Sequence, residues 1–200
     1  MLEAVLFDLD GVLVDSKEAW YLAVAEAGVR FRGRPVTRAE FEPTFGQGTE
    51  ADIPLFGFDC TTAQLDRFYE EEFVRQLHAV RVDASALGIL EGLKAQGLKL
   101  AVVTNSVGII ARATLEHAKL LPLFDSLATA DRVPSSKPAP DLPLLALHEL
   151  KVKAEHACMV GDSRFDREAA AAAKVRFIGL RIAGDRRIDR LVELTGLQAG

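Results

Sequence analysis

Short apolar runs recur along the chain at AVLFDL (residues 4–9), LKLAVVTN (98–105), DSLATA (125–130), HACMVGD (156–162) and VRFIGLRI (175–182), and each has the character of a strand. Helix-like stretches separate most of them. That alternation predicts a parallel sheet with helices on both faces, an α/β fold of the doubly wound kind.

The first two strands are separated by far more chain than a crossover helix needs. The interval contains KEAWYLAVAEAG and TAQLDRFYEEEFVRQLHAV, both helix-like, and no strand of comparable strength. In TRAE, Thr37 and Glu40 have the spacing of a capping box, so a further helix is expected to begin there. The economical reading is a mainly helical cap domain over residues 16–87, inserted after strand one, and a core formed by residues 1–15 and 88–200. A segment that leaves and returns at that loop is expected to lie over the carboxyl end of the sheet, where open α/β sheets bind ligands. It would then act as a lid. The run EAAAAAK (168–174) is explained by alanine's helix propensity and close helix packing alone.

Composition narrows the setting. The 200 residues are 49% hydrophobic, enough for a sizeable core, and the net charge of −5 lacks the basic footprint of a nucleic-acid binder. Cys60 and Cys158 form no ligand or redox motif and are expected to be free thiols in a reducing compartment. No apolar run reaches membrane-spanning length, and the N-terminus does not have the pattern of a secretory signal. The expectation is a soluble cytoplasmic protein, monomer or homodimer, with a small phosphorylated metabolite as partner and neither nucleic acid nor membrane.

The chemistry is read from the strand ends. VLFDLDGVLVDS (5–16) places Asp8 and Asp10 where an apolar strand runs out, followed by Gly11. A carboxylate there is desolvated at a cost unless a partner, metal or reaction accounts for it. Alone, the stretch fits an Asp-Gly turn as well as a site. In AVVTNS, Thr104 and Asn105 fit a helix N-cap, or donors beside a helix terminus able to hold phosphate. Lys137, before a proline in SSKPAPDLP, fits an ordinary loop lysine or an anion ligand. In CMVGDSRFD, Asp162 and Asp166 repeat the pattern of strand one. All four stretches fall at the carboxyl ends of predicted parallel strands. One crevice holding carboxylates, a lysine and hydroxyl donors suits Mg²⁺ and a phosphoryl group. His78, His117, His148 and His156 have no zinc-ligand spacing.

Taken together, FDLDGVLVDS, VVTNS, KPAPD and VGDSRFD resemble, in order and spacing, the motifs of the haloacid dehalogenase superfamily, in its branch of phosphoglycolate phosphatase-like and β-phosphoglucomutase-like enzymes with a helical cap. The resemblance covers nearly the whole chain and implies a Rossmann-like core. It also implies that Asp8 is the nucleophile, forming an aspartyl-phosphate, and that Asp10 is the general acid and base. Asp10 would have to hold a proton near neutral pH while Asp8 stays ionised. Leu9, Asp10, Thr104, Asn105 and Lys137 would bind the phosphoryl oxygens. Mg²⁺ would be held by Asp8, the backbone carbonyl of Asp10, Asp162 and Asp166. Gly11 would permit the close turn beneath.

Two departures from the family pattern stand out. Lys174 follows Ala173 where the family often has glycine. In the cap, FGQGTEAD resembles the family's specificity loop, and makes Gly46, Gln47 and Thr49, with Trp20, the substrate-selecting candidates. That loop has no Arg or Lys, and Arg30, Arg32, Arg34 and Arg38 are expected to be a solvated surface. The implied activity is a Mg²⁺-dependent phosphatase of a small phosphate monoester, phosphoglycolate first. A phosphomutase of the β-phosphoglucomutase type and a silent phospho-ligand-binding protein are the alternatives.

Overall fold

The structure, a computed structural model, describes residues 1–45 and 49–197. The chain forms two compact units, Met1–Asp15 with Val82–Gly200, and Ser16–Arg81. The chain re-enters the first unit at Val82 rather than at residue 88. The helix that begins at Ala86 already belongs to this unit, and it starts before the first strong strand signal after the insertion. The short strands β2 (Val14–Asp15) and β3 (Arg81–Val82) stand where the chain leaves and returns.

The first unit is a six-stranded sheet in the order β5-β4-β1-β6-β7-β8. Its strands are β1 (Ala4–Phe7), β4 (Lys99–Val103), β5 (Ser126–Ala128), β6 (Ala157–Gly161), β7 (Arg176–Leu180) and β8 (Arg186–Ile188), and every pairing is parallel. The chain builds outward from β1 on one side, then returns to build on the other. That reversal opens a crevice at the carboxyl ends beside β1. The five expected strands are all present. β8 was not legible, because an edge strand reading RRI with its arginines exposed has no apolar pattern.

Leu6, Ala101, Val103 and Met159 share a buried core with Leu142, Ala146 and Leu150 of α7 (Asp141–Leu150) and Ala170 of α8 (Arg164–Ala172). Two further helices, α5 (Ala86–Ala95) and α6 (Gly108–His117), complete the unit. The alanine run is used as expected, with Ala169 and Ala170 fully buried.

The second unit is helical: α1 (Lys17–Arg32), α2 (Arg38–Phe41), α3 (Thr49–Phe56) and α4 (Thr62–Arg75). The capping box of Thr37 and Glu40 is formed, and Thr61 with Gln64 forms another. Trp20 lies edge-on to Tyr69 at 5.7 Å and against Phe73 at 4.6 Å, so it is part of this unit's own aromatic core. Arg32 is not a solvated arginine. It donates to both Glu40 carboxylate oxygens at 3.0 and 2.9 Å and to the Phe56 and Pro35 carbonyls at 3.1 and 2.8 Å, which ties α1, α2 and α3 together. That bond from Arg32, with those from Thr37, holds the Glu40 carboxyl well below the usual carboxylate range. Thr49 opens α3, whereas Gly46 and Gln47 lie outside the described residues.

Two stability predictions follow from local geometry. Lys174 and Lys151 close helices at φ 58° and 55°, in the left-handed region where glycine is unstrained. Lys174→Gly and Lys151→Gly should each stabilise the protein by about 1 kcal/mol, a rise of roughly 2–4 °C in Tm read by calorimetry.

Inside the helical unit, Asp52 accepts from the Tyr69 hydroxyl at 2.8 Å, and burial pushes its carboxyl up to about 6 from 3.8. A raised folded-state pKa stabilises through the protonated form; that contribution is complete below 3.8 and is lost as pH rises through about 6. Asp52→Asn keeps an acceptor for Tyr69 without the charge. Its Tm should exceed the parent's at pH 8 and match it at pH 4.

Candidate active site

Three of the five expected strands, β1, β4 and β6, end at one edge of the first unit, and the loop that follows β5 brings Lys137 to it. β1 pairs with β4 and β6 so that Phe7 is level with both Val102 and Val160. Asp8, one residue on, and Thr104 and Asp162, each two residues on, therefore emerge at a common edge. Leu9 is fully buried, and its carbonyl accepts from the amides of Leu13 and Val14, closing a turn that presents Asp10 and Gly11.

At the centre is the Lys137 ammonium. It donates to Asp8 Oδ1 and Asp166 Oδ1, each at 2.7 Å, and to the Val103 carbonyl at 3.0 Å. Asn105 fixes the lysine's backbone from both directions, with its Oδ1 accepting from the Lys137 amide at 2.9 Å and its Nδ2 donating to the Lys137 carbonyl at 3.0 Å. Asn105 is thus a brace for the lysine and not a helix cap. Thr104 accepts from the Ser106 amide at 3.0 Å. Ser106, in turn, donates its hydroxyl to Asp10 Oδ2 at 3.2 Å.

The helix after β4 differs from expectation. α6 starts only at Gly108, and the Gly108 amide is taken by Asp131 Oδ1 at 2.8 Å. Its terminus therefore offers no open first amide beside Thr104, because residues 104–107 form a turn and a carboxylate from after β5 caps the helix. Asp166 sits at the third position of α8 in a capping box with Ser163, its Oδ2 accepting from the Ser163 amide and hydroxyl at 3.0 and 2.6 Å. Asp166 has no exposure at all. Its two oxygens serve helix and lysine separately.

Two glycines make this density possible. A Cβ at Gly11 would lie 2.0 Å from Asp162 Oδ2, and one at Gly161 would lie 2.4 Å from Asp166 Cβ. Gly11 also has φ 84°, so both space and backbone demand glycine there.

The charges are unbalanced. Burial pushes the Asp8 carboxyl well above its usual range; Asp166 and Asp10 add to this and Lys137 opposes it. Burial, then Asp166, pushes Asp162 up to about 6. For Lys137, burial works against the charge, but the two carboxylates outweigh it and hold the ammonium protonated. A hard divalent cation would relieve this excess of negative charge. One oxygen from each of Asp8, Asp162 and Asp166 lies within 4.8 Å of the others, and an all-carboxylate set with no histidine fits Mg²⁺ and not zinc.

Asp8, Asp10, Thr104, Asn105, Lys137, Asp162 and Asp166 thus come together in the first unit; Trp20 packs against Tyr69 and Phe73 in the second. Sequence reasoning missed Ser106, which holds Asp10, and Ser163, whose spacing to Asp166 is a capping signal that was readable. It also missed Arg181, which donates to the Gly11 carbonyl at 2.6 Å from a loop with no motif.

Comparison with known proteins shows the family and the fold. The family model described as haloacid dehalogenase-like hydrolase matches residues 5–180. Phosphoglycolate phosphatase of Rhodospirillum rubrum is 35% identical over 188 residues, covering 88% of this chain and 78% of the relative. Protein CbbY of Cereibacter sphaeroides is 31% identical over 228 residues, covering 98% of this chain and 96% of the relative. Crystal structures of CbbY from Rhodobacter sphaeroides, one with phosphate and one with xylulose-(1,5)bisphosphate, superpose with TM-scores of 0.87 and 0.86 at 28% identity and cover 98% of both chains. No described helix is long and apolar enough to cross a membrane.

Removing the central cation should expose the imbalance. Lys137→Met is expected to destabilise the protein in EDTA by about 3–5 kcal/mol at pH 7.5, measured by urea unfolding. A carboxyl raised above 3.8 contributes its full stability below that pH and loses it as pH rises. The deficit of the variant should therefore shrink towards pH 4.

Proposed function

The chain belongs to the haloacid dehalogenase-like hydrolases, and from that premise we propose that it hydrolyses a small phosphate monoester through an aspartyl-phosphate, with Mg²⁺. Its action on phosphate esters follows from the family and from relatives named as phosphatases. The observation that carries the finer reading is the buried Lys137 ammonium bridging Asp8 and Asp166 at 2.7 Å, beside Thr104 and Asp162.

In this reading an Asp8 oxygen attacks phosphorus. The bond from phosphorus to the ester oxygen breaks, and Asp10 gives its proton to the departing alkoxide. Water then attacks the acyl-phosphate, Asp10 takes a proton back, and inorganic phosphate leaves with Asp8 restored. Lys137 and Thr104 face the transferring group and stabilise charge spread over its oxygens. Leu9 is buried, so only its backbone can serve the phosphate. Asn105 contributes by bracing Lys137, and Ser106 holds Asp10 in place. Asp8, Asp162, Asp166 and the Asp10 carbonyl would hold Mg²⁺, whose charge offsets the repulsion between carboxylate and phosphate. A protonated neighbour is compatible with an ionised Asp8 once that charge is present.

Phosphoglycolate and sugar phosphates are the first candidate substrates, on the strength of the relatives' names and of the bisphosphate bound by CbbY.

The test is phosphate release from a panel containing phosphoglycolate, xylulose and ribulose bisphosphates, nucleotides and p-nitrophenyl phosphate, with Mg²⁺ or EDTA. Parent activity should require Mg²⁺. Asp8→Asn should lower kcat by at least about 10³-fold while keeping a folded, cooperative thermal transition. Well-folded parent protein that releases phosphate from nothing on the panel, or an Asp8→Asn variant that turns over like the parent, would overturn the reading.

A further inference from the structure

Immediately after β7 the backbone enters a conformation that an arginine disfavours. Arg181 has φ 65°, in the left-handed region, and its amide donates to the Ile188 carbonyl at 2.7 Å. Just upstream there is no room for a side chain, since a Cβ at Gly179 would lie 2.4 Å from the Ile182 carbonyl oxygen. The chain doubles back here within a few residues. A glycine at 181 would make the same reversal without strain.

The side chain indicates why arginine stands there. Its guanidinium donates to the Gly11 carbonyl at 2.6 Å and lies 4.0 Å from Asp162 Oδ2. Gly11 and Asp162 are the two partners of the closest packing in the site, the pair between which no Cβ fits. Arg181 is hydrogen-bonded to the first and stands as an opposite charge near the second. Its side chain is 57% exposed, and exposed charge contacts of this kind contribute little to stability. A strained backbone and a weakly stabilising contact together do not account for an arginine at this position. Orientation does.

We propose that Arg181 is a positioning residue: its guanidinium clasps the Gly11 carbonyl and so fixes the turn that presents Asp10, with Asp162 steadied as the second contact. The Gly11 carbonyl belongs to the peptide that joins Gly11 to Val12, inside the turn closed by the Gly11 amide on the Val14 carbonyl, so holding it holds the turn on which Asp10 is mounted. Ser106 restrains the same carboxyl by its side chain, at 3.2 Å, from the loop after β4. The turn is held from both sides, by β4's loop and by β7's. The kinetic consequence rests on the catalytic reading given above, whereas the clasp itself does not.

The decisive comparison is among Arg181→Gly, Arg181→Met and Arg181→Lys. Arg181→Gly relieves the backbone and deletes the clasp, so stability and turnover should part. Its Tm should equal or exceed the parent's, its kcat on the best panel substrate should fall about tenfold, and its KM should stay within about twofold. Amide exchange over residues 9–14, measured without Mg²⁺ or substrate, should accelerate in Arg181→Gly and Arg181→Met. Arg181→Lys retains a donor and a charge and should recover most of both. The exchange measurement reads the clasp whether or not the parent hydrolyses any ester tested, so failure here is distinct from failure of the phosphatase reading. Parent-like exchange and kcat in Arg181→Gly would overturn the proposal. So would Tm and kcat falling together, with lysine no better than methionine.

Discussion

A lysine ammonium buried between two carboxylates is the constraint on which the first unit's architecture turns. Lys137 comes from the loop before α7, Asp8 from the end of β1 and Asp166 from the first turn of α8, and 2.7 Å contacts join all three. Taking such charges out of water costs several kcal/mol per ion, and the cost is recovered only with close geometry and further hydrogen bonds. Those are supplied: the Val103 carbonyl takes a third bond from the ammonium, and Ser163 satisfies the second oxygen of Asp166. The arrangement still leaves more negative than positive charge. Such an excess of buried negative charge is a poor way to stabilise a fold, and it is the imbalance that the proposed divalent cation would relieve.

The surrounding structure is arranged to tolerate this crowding. The parallel sheet delivers three strand ends to one edge because Phe7 is level with Val102 and Val160. Glycines at 11 and 161 let carboxylates occupy the volume that a Cβ would fill. Asn105 and Ser106, adjacent in sequence, brace Lys137 and Asp10 respectively, so one turn after β4 orients both the electrostatic anchor and the proposed acid.

The helical unit uses the same residue types for a different purpose. Arg32 and Glu40 form a bidentate pair whose remaining donors go to backbone carbonyls, which closes α1 on α2 and α3. The charges of this pair are matched, and no carboxylate cluster of the kind found in the first unit occurs in the helical unit among the described residues. A family resemblance drawn from the motifs says nothing about such a strut. An arginine on a helix reads as solvated until its partners are known.

The sequence by itself determined the α/β class, the strands that deliver the site and the helical insertion, and it named Asp8, Asp10, Thr104, Lys137, Asp162 and Asp166 as candidates. Strand periodicity, capping spacing and motif order are all local, and each is carried by residues close together in the chain. Only the tertiary structure decided what depended on distant partners. β8 is a strand because β7 pairs with it, not because RRI looks like one. α6 begins at Gly108 because Asp131, twenty-three residues on, caps it. Asn105 braces a lysine thirty-two residues away, and Arg181 reaches a carbonyl one hundred and seventy residues back. The physical reason is the same throughout: periodicity records what a residue prefers locally, whereas hydrogen bonds between remote segments exist only once the sheet has brought those segments together.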